Sequence, residues 1–410
     1  MLIRQTLGVL LAGGVGERLY PLTRDRAKPA VPFGGMYRII DVTLSNCINS
    51  GLRKIFVFTQ YKALSLSRHI RHGWFNVFAH GLDEFIEIIP PEKRVGEDWY
   101  LGTADAVRQN LYSINSVDGI QYVLVLSGDH IYKMNYCRML ERHVESEADI
   151  TLGTIQIALE RAHRFGVVSV DSSLRIRAFQ EKPSAPKPSV DDPAKVVVSM
   201  GIYIFNRNLL SALLQEDAQN PASTHDFGKD ILPRAIDEFK VMAYPFVDEN
   251  KKQSQYWLDV GTIAAYYEAN LDLVAVSPQF NLYDKDWPIR TNPGQYPPAK
   301  FVFAQEGKRM GIAVDSIVSN GCIVSGGRVV NSVLSPDVRV NSYCEIDKSI
   351  LFPHVNIGRY SRVRNSIIDR GVHLPEGTTI GFDLDEDQKK YHVTDAGVTV
   401  VVREDNTTDS

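Results

Sequence analysis

The last quarter of this 410-residue chain has a repeat that few folds can accommodate. From residue 317 onward, apolar residues recur near six-residue steps, with small or turn-forming residues between them. The apolar positions are Ile317, Ile323, Val329, Val340, Ile346, Ile357, Val363 and Ile380, and the turn positions include Gly321, Gly326, Asn331, Ser342, Gly358 and Gly371. This period predicts a parallel β-helix, whose short coils bury an apolar core only by stacking. Because the repeat is imperfect, a small β-sandwich remains an alternative.

Upstream of the repeat, short apolar runs alternate with longer amphipathic segments. Strands are predicted at residues 54–60, 121–129, 148–157 and 196–205, and helices at 103–114 and 135–146. Strands separated by helices predict an α/β domain with a mostly parallel sheet. Four prolines between residues 286 and 301 argue against a helix or central strand there. We therefore predict a first domain over residues 1–275, a linker over 276–305 and a β-helix over 306–410.

The composition is that of an ordinary globular protein, with 44% hydrophobic and 23% charged residues. A formal net charge of −4 argues against a broad nucleic-acid-binding face. The apolar run near the N-terminus is too short to span a membrane and lacks a cleavage site. The four cysteines have no metal-ligand spacing, and scattered thiols fit a reducing compartment. We expect a cytoplasmic protein without nucleic-acid or membrane partners.

A glycine-rich turn follows an apolar run in the stretch LGVLLAGGVGERLYPLT, residues 7–23. It lacks the Gly-Lys-Ser/Thr ending of the P-loop, and Leu19 stands where the dinucleotide pattern needs its third glycine. Gly13, Gly14 and Gly16 leave backbone N–H groups open to an anion, since no Cβ blocks the approach. The cations that follow are Arg18, Arg24, Arg26 and Lys28. This combination favours a polyphosphate ligand, and the alternative is a tight turn beside a solvated basic surface.

Two acidic residues come directly after apolar runs: Asp129 in VLVLSGDHIY and Asp259 in YWLDVGT. A carboxylate at the carboxyl end of a parallel strand faces the ligand crevice. A pair of carboxylates there suits a Mg²⁺ ion that also binds phosphate oxygens. The alternative for Asp129 is that it caps the next helix.

Lys182 in FQEKPS precedes Pro183, which favours an extended backbone that would present the lysine to a phosphate. The alternative is a surface hairpin with an exposed Glu181–Lys182 pair. Ser199 in SMGIY suits a sugar hydroxyl but is equally ordinary in a strand. No serine-nucleophile motif, zinc-binding helix or reactive-cysteine signature is evident. Catalysis would then depend on positioning and charge neutralisation.

Taken in order, these stretches resemble the sugar-nucleotide pyrophosphorylases. LAGGVGERLYPLT with AKPAVPFGG is similar to that family's GGxGxRL…KP signature. RIIDVTLSNCINSG, WYLGTADAVRQN, SGDHIYKMNY, SMGIYIF and HDFGKDILP resemble the family's bacterial glucose-1-phosphate adenylyltransferases, and the match runs over nearly the whole chain. The resemblance implies a Rossmann-like, mostly parallel nucleotidyltransferase domain followed by a C-terminal left-handed parallel β-helix.

The resemblance also implies an activity and a set of site residues. ATP and α-D-glucose 1-phosphate would give ADP-glucose and pyrophosphate, the committed step of glycogen synthesis, in a homotetramer. Catalytic roles would fall to Arg18, Lys28, Asp129 and Lys182, with Mg²⁺ held by Asp129 and Asp259. ATP would contact Leu11, Ala12, Gly13, Gly14, Gly16, Gln60, Trp99, Gly102 and Thr103. Glucose 1-phosphate would contact Tyr100, Gly166, Glu181, Lys182 and Ser199.

Control by small-molecule effectors is implied as well, with Arg24, Arg26 and Arg38 as candidate effector-binding residues. Arg26 and Arg38 match cationic positions of members that fructose 1,6-bisphosphate activates and AMP inhibits. However, Asp25 stands where enterobacterial-type members have a lysine, and Pro32 replaces a histidine of their AMP site. An acidic group in an anion pocket disfavours the ligand by about 1 kcal/mol or more. The resemblance therefore leaves the effector open.

Alternative functions also remain at this point. The shared signature is compatible with a pyrophosphorylase that uses UTP, dTTP or GTP. Plant relatives include non-catalytic regulatory subunits, although Arg18, Asp129 and Lys182 are all present here. A bifunctional acyltransferase would need a longer β-helix than the repeat provides.

Overall fold

The computed structural model describes residues 2–14, 16–91, 99–189, 192–249, 256–292 and 294–403. The first domain alternates strands and helices, as predicted. Its strands are β1 (Thr6–Leu11), β2 (Pro32–Phe33), β3 (Tyr37–Arg38), β4 (Lys54–Phe58), β5 (Phe85–Ile89), β6 (Tyr122–Ser127), β7 (His130–Tyr132), β8 (Ile150–Ala158), β9 (Gly166–Val170), β10 (Ile176–Glu181), β11 (Lys195–Asn206), β12 (Val241–Pro245) and β13 (Trp257–Asp259). Its α-helices are α1 (Ile39–Asn49), α2 (Ala63–Gly73), α3 (Thr103–Gln109), α4 (Leu111–Ser116), α5 (Tyr136–Glu145), α6 (Arg207–Asp217), α7 (Leu232–Glu238) and α8 (Ile263–Asp272). Single turns of 3-10 helix lie at Leu2–Gln5, Glu17–Leu19, Lys28–Ala30, Phe75–Val77 and His80–Leu82, a longer one lies at Leu159–Arg164, and Phe227–Ile231 forms a π-helical turn.

The main sheet has the strand order β10-β9-β11-β6-β1-β4-β5, and β8 and β12 extend it beside β11. Strands β5, β4, β1 and β6 run parallel, whereas β11 is antiparallel to β6, β8 and β9. After Thr6, strand β1 contains no polar side chain because both of its faces are covered: Leu10 packs in one core cluster, and Leu7 and Val9 pack in the other. The predicted α/β fold class is confirmed.

The parallel register brings three loops to one edge of the sheet. Leu11 at the end of β1 lies beside Phe58 at the end of β4 and beside Ser127 at the end of β6. The glycine turn, Gln60 and Asp129 therefore emerge side by side. This is the edge at which parallel sheets bind their ligands.

The C-terminal domain is a left-handed parallel β-helix. Its strands are β14 (Lys300–Val302), β15 (Ile312–Val314), β16 (Ile317–Val318), β17 (Ile323–Ser325), β18 (Arg328–Val330), β19 (Val333–Leu334), β20 (Arg339–Val340), β21 (Glu345–Leu351), β22 (Asn356–Ile357), β23 (Arg362–Ile368), β24 (His373–Leu374), β25 (Thr379–Ile380), β26 (His392–Val393) and β27 (Thr399–Val401), and its α-helix is α9 (Leu384–Gln388).

Buried apolar columns run through the stacked coils. Val324 lies beside Val340, Val340 beside Ile357, and Ile357 beside Leu374, so one coil takes 16 or 17 residues. These pairings are parallel, and the β-sandwich alternative is therefore wrong. Strand β14 already pairs with β17 and lies within the stretch predicted as a linker. Corner residues of successive coils have positive φ: Asn331, Lys348 and Asn365 form one such column, and Gly326, Tyr343, Tyr360 and Gly377 form another.

The two domains share one apolar cluster. Leu19, Leu22, Val31 and Phe33 of the first domain pack with Val333, Ile350, Phe352, Ile367 and Val400 of the β-helix. Arg26 adds a bidentate salt bridge to Asp369, with distances of 2.7 and 3.2 Å. Among the described residues, no helix has both the length and the apolar composition needed to cross a bilayer.

Candidate active site

A cavity of about 690 Å³ lies at the edge where β1, β4 and β6 end. Predicted site residues that line it are Leu11, Ala12, Gly13, Gly14, Gly16, Arg18, Lys28, Gln60, Tyr100, Gly102, Thr103 and Asp129. Lining residues that the sequence analysis missed are Glu17, Pro29, Phe58, Ala106, Ser127, Asp226 and Gly261. Most of the residues predicted to bind ATP are thus brought together on one wall.

Glycine occupies the three positions of the turn for different structural reasons. A Cβ at Gly13 would lie 2.9 Å from the Cβ of Gln60. Gly16 has φ 68°, and a Cβ there would lie 3.0 Å from Thr23 and 3.1 Å from Lys28. By contrast, no heavy atom of the described residues lies within 4 Å of a Cβ placed on Gly14. Packing therefore explains Gly13 and Gly16, whereas open space at Gly14 leaves room for a ligand to approach the backbone.

Lys28 forms the electrostatic centre of the site. Its Nζ donates hydrogen bonds of 2.8 Å to Asp129 Oδ2 and of 2.8 Å to Asp259 Oδ1. Asp129 also accepts a hydrogen bond from the Ser127 hydroxyl. Asp259 is held beside it because β13 pairs with β7 and places Asp259 opposite His130. Asp129 is followed by β7, so the alternative that it caps a helix is wrong.

Burial and charge act in opposite directions on these groups. Burial disfavours the Lys28 ammonium, but the neighbouring Asp129 and Asp259 carboxylates outweigh it and raise the pKa of Lys28. Burial likewise disfavours the Asp129 carboxylate, but Lys28 and then His130 hold its pKa below the ordinary value. Lys28 and Asp129 are therefore both charged at neutral pH, and the Lys28 ammonium is shared between the two carboxyl groups that it contacts.

The donor atoms here suit a hard divalent cation. One ligand atom each from Asp129, His130 and Asp259 lies within 4.8 Å of the others. Two carboxylates supplemented by substrate phosphates are the usual protein environment of Mg²⁺. The Nδ1 atom of His130 is buried without a hydrogen-bond partner in the described part of the chain. The residues therefore fit Mg²⁺, with Asp129 and Asp259 as its oxygen donors.

Of the residues predicted to contact glucose 1-phosphate, Tyr100 lines this cavity, whereas Gly166, Glu181, Lys182 and Ser199 lie outside its lining. Gly166 is opposite Glu181 in the β9–β10 pair, and a Cβ on Gly166 would lie 3.0 Å from Glu181 Oε2. A Cβ on Gly228 would approach the same oxygen to 2.6 Å. Ser199 precedes a bulge of β11 at which Gly201 has φ 68°. Two glycines thus lie against the Glu181 carboxylate, and the bulge interrupts the pairing of β11 with β8 between Ser199 and Tyr203.

The expected extended backbone of Lys182 is wrong. Strand β10 ends at Glu181, and Lys182 has φ 46°, with its N–H donating to Phe165 O at 3.1 Å. This hydrogen bond turns the chain at the end of the β9–β10 hairpin. The Lys182 Nζ lies 2.7 Å from Glu181 Oε1, and 59% of its side chain is exposed. The hairpin with a Glu–Lys pair, the alternative interpretation, is what forms, and the ammonium remains accessible.

Asp226 is the most informative residue that the sequence analysis missed. Its carboxylate accepts hydrogen bonds from the backbone of Gly228 and Lys229 and from the Thr103 hydroxyl, at 2.9, 3.2 and 3.0 Å. In the same loop, His225 O accepts a hydrogen bond from Ala104 N in the first turn of α3. An Asp preceding a helical turn in HDFGKDILP is an N-cap signal that could have located it.

Trp99, Arg24 and Arg26 lie outside the cavity lining, whereas Arg18 is part of it. Trp99 is 53% exposed and stacks on Tyr61, with ring centroids 4.9 Å apart. Arg18 approaches Asp259 to 3.9 Å and faces the cavity. Arg24 instead donates to Arg403 O at 2.8 Å, and Arg26 bonds Asp369. Of the four cations predicted around the turn, two therefore point to the β-helix.

A second cavity of about 650 Å³ lies between the two domains. Its charged lining residues are Asp25, Arg26, Arg38, Lys62, Arg68 and Arg370, and Pro32 also lines it, whereas Arg24 does not. Burial, with Arg370 and Arg26 nearby, lowers the pKa of Arg38 to about 10. Five of these six charged side chains are cationic, and this excess of positive charge favours an anionic ligand.

Comparisons with known proteins agree with this architecture. The family model "Nucleotidyl transferase" matches residues 7–275, and "GlmU-like, C-terminal hexapeptide" matches residues 297–401. Proteins named glucose-1-phosphate adenylyltransferase are similar over 98% of this chain: one from Koribacter versatilis is 64% identical with 96% of its length covered, and one from Rhodopirellula baltica is 54% identical with 91% covered. A third, from Hydrogenovibrio crunogenus, is 50% identical with 95% of its length covered. The chain belongs to the nucleotidyl transferase family and is similar over 98% of its residues to proteins named glucose-1-phosphate adenylyltransferase.

Proposed function

We propose that this protein makes ADP-glucose and pyrophosphate from ATP and α-D-glucose 1-phosphate. The observation that carries the proposal is the Lys28 ammonium, which bridges Asp129 and Asp259 below a glycine turn that opens onto the cavity. The names of relatives that match 98% of the chain supply the substrates. The product would serve glycogen synthesis.

In this reaction an oxygen of the sugar phosphate forms a bond to the α-phosphorus of ATP. The bond between the α-phosphorus and its bridging oxygen breaks, and pyrophosphate leaves with the electron pair. Two anions must approach each other, so the surrounding charge decides the barrier. Gly13, Gly14 and Gly16 would hold the triphosphate through backbone N–H groups, while Arg18 and Lys28 would neutralise it.

The remaining predicted residues would position the two substrates. Gln60, Gly102 and Thr103 would contact the nucleotide, with Leu11 and Ala12 at the floor of the cavity. Tyr100, Gly166, Glu181 and Ser199 would contact the sugar. The exposed Lys182 ammonium would move from Glu181 to the phosphate of glucose 1-phosphate, since a phosphate is the stronger competitor for it.

A Mg²⁺ ion held by Asp129 and Asp259 would supply charge neutralisation on the phosphate oxygens. Lys28, which contacts both carboxylates, would also donate to a phosphate of ATP. Together with Arg18 and Lys28, the ion would offset the negative charge that ATP and the sugar phosphate bring into the site.

The direct test is formation of pyrophosphate from glucose 1-phosphate with each of ATP, UTP, dTTP and GTP, with and without Mg²⁺. We expect Mg²⁺-dependent turnover with ATP, and Asp129→Asn lowers kcat by roughly 10²- to 10³-fold because the charge centre is lost. Asp284→Asn is the control, since Asp284 also pairs with a lysine but lies outside the cavity. Turnover only with UTP or dTTP would replace the proposed substrate, and no turnover with any nucleotide would favour a regulatory subunit.

We also propose that the cavity between the domains binds an anionic effector. Arg26, Arg38 and Arg370 line it, whereas Asp25 and Pro32 depart from the pattern of members that fructose 1,6-bisphosphate activates. The activity assay with fructose 1,6-bisphosphate, fructose 6-phosphate, pyruvate and AMP identifies the ligand. Arg370→Gln should then weaken the response, and an unchanged response in that variant would place the effector elsewhere.

We further propose a cytoplasmic homotetramer. The four cysteines are free thiols, which suits a reducing compartment. Light scattering on the purified protein should give a mass of four times 46.0 kDa. A mass of one or two chains would exclude the tetramer.

A further inference from the structure

Thr23 lies behind the glycine turn, outside the lining of the cavity. Its side chain is buried, with 3% of the residue exposed, and its Oγ1 donates a 2.9 Å hydrogen bond to Gly16 O. Its Cγ2 would lie 3.0 Å from a Cβ on Gly16. The hydroxyl and the methyl group of Thr23 therefore both contact the one residue of the turn at which φ is 68°.

The backbone of Thr23 is held from the opposite side by Lys62. The Lys62 Nζ donates a 3.0 Å hydrogen bond to Thr23 O. Lys62 also lines the basic cavity between the domains. Gln60, only two residues earlier in the chain, lines the catalytic cavity. A chain of two hydrogen bonds thus connects a cation of one cavity to the glycine turn of the other.

We propose that Thr23 is a positioning residue for the nucleotide-binding turn, and that Lys62 couples this position to anion binding in the basic cavity. The coupling rests on the functions proposed above for the two cavities. An anion in the basic cavity competes with Thr23 O for the Lys62 ammonium, because a phosphate accepts a stronger hydrogen bond than a carbonyl does. Released from Lys62, Thr23 and the Gly16 carbonyl shift together, and the affinity for ATP changes.

This role follows from the geometry of Gly16. A glycine at positive φ has access to many backbone conformations, so its own preference does not fix the turn. A hydrogen bond to its carbonyl and contact on its α-carbon restrict it to one of them. Thr23 supplies both contacts, and Lys28, whose Cβ would lie 3.1 Å from the added Cβ, closes the other side.

The first experiment compares Thr23→Val, Thr23→Ser and Thr6→Val. Thr23→Val keeps the shape and removes the hydroxyl, and it should raise KM for ATP about fivefold while KM for glucose 1-phosphate stays within about twofold. Thr23→Ser keeps the hydroxyl and should restore KM for ATP. Thr6→Val is the matched control, because Thr6 is buried and donates to Leu2 O at the opposite end of β1. An equal change in both KM values, or the same change in Thr6→Val, would overturn the positioning role.

The second experiment tests Lys62 with a double-mutant cycle. Lys62→Met should raise KM for ATP about twofold to fivefold, and the change should vanish in the Thr23→Val background, since the hydroxyl is its route to the turn. Arg68→Met is the control: Arg68 lines the same cavity, and no hydrogen bond among the described residues joins it to the turn. Additive effects of Lys62→Met and Thr23→Val would overturn the relay.

Inorganic phosphate and fructose 1,6-bisphosphate then probe the coupling. At least one of them should change KM for ATP in the wild type and in Arg68→Met at a saturating dose, and should not do so in Lys62→Met. If neither probe changes KM in the wild type, or if both variants respond alike, the coupling is wrong. Should the wild type form no ADP-glucose, the proposed function fails, and calorimetric titration of ATP into the same variants still decides the role of Thr23.

Discussion

Replacing Lys28 by methionine tests the charge balance of the site. Methionine keeps an unbranched aliphatic side chain but removes the ammonium that lies 2.8 Å from both Asp129 and Asp259. The two carboxylates, which have ligand atoms within 4.8 Å of each other, then face one another without a cation between them. The variant therefore removes the only cation of the triad and leaves a repelling pair of carboxylates.

The size of this repulsion follows from the distance. At the 4.8 Å limit, two negative charges repel by about 3 kcal/mol at an effective dielectric constant of about 20, which corresponds to a rise of about 2 in the pKa of a carboxyl group. Burial, the largest influence on Asp129, also raises its pKa once Lys28 is gone. We expect the two carboxyl groups of the variant to share one proton near neutral pH.

The sign of the pH dependence separates the variant from the wild type. In the wild type the pKa of Asp129 is lowered, so its stabilising contribution is complete above about pH 4 and is lost only as the pH falls through the folded value. The pKa of Lys28 is raised, so its contribution is complete below about pH 10 and is lost as the pH rises through the folded value. In Lys28→Met the carboxyl pKa lies above its unfolded value, and stability should rise as the pH falls from 8 to 5.

Melting temperatures in EDTA between pH 5 and 8 measure this difference. For a chain of 410 residues, about 3 kcal/mol corresponds to a deficit of about 3 °C at pH 8. The deficit should shrink toward pH 5. Lys133→Met is the control, because Lys133 is also buried and pairs with a carboxylate, that of Asp284, away from the cavity. A deficit in Lys28→Met that stays constant or grows toward pH 5 would refute the charge-balance argument.

Further variants probe the turn, the domain contact and the metal. Gly16→Ala should destabilise the fold by about 1–2 kcal/mol, because φ is 68° and neighbours lie 3.0–3.1 Å from the new Cβ, whereas Gly14→Ala should keep the melting temperature and raise KM for ATP. In a urea titration, Asp369→Asn should lower the free energy of unfolding by about 2–3 kcal/mol, since it leaves the largely buried Arg26 guanidinium without its carboxylate. The control Arg362→Gln, at an exposed ion pair, should change it by less than about 0.5 kcal/mol. EDTA should abolish turnover without changing the circular dichroism spectrum, and excess Mg²⁺ should restore it.

The sequence predicted those parts of the fold that depend on local pattern. The apolar run of β1 and the alternation of strands and helices identified the parallel sheet and hence the edge at which Asp129 would lie. The six-residue period identified the β-helix because each coil repeats the same pattern of buried apolar positions. Periodicity alone could not distinguish the β-helix from a sandwich, since the pairing partner lies 16 or 17 residues away.

Predictions that depended on tertiary contacts were less complete. Arg24 and Arg26 were predicted to belong to the phosphate site. In the structure they instead donate to Arg403 O and to the Asp369 carboxylate, contacts with the C-terminal domain that no local sequence pattern could reveal. Lys182 departed from the pre-proline preference because its N–H bonds Phe165 O across the hairpin. The two hydrogen bonds of Lys28 could not be predicted from the sequence, because they depend on the pairing of β13 with β7, two segments more than 120 residues apart.

The apolar cluster shared by the two domains has a consequence for how the chain unfolds. Residues 19–33 carry Lys28 toward the cavity on one side, while Leu19, Leu22 and Phe33 on the other side pack with Phe352 of the β-helix. A fragment that ends before residue 300 would expose this apolar surface to water and would leave Arg26 without Asp369. The β-helix therefore covers one face of the segment that contains Lys28 and stabilises its conformation. Heat should remove activity and β-helix structure in one cooperative transition, although the two domains have separate sheets.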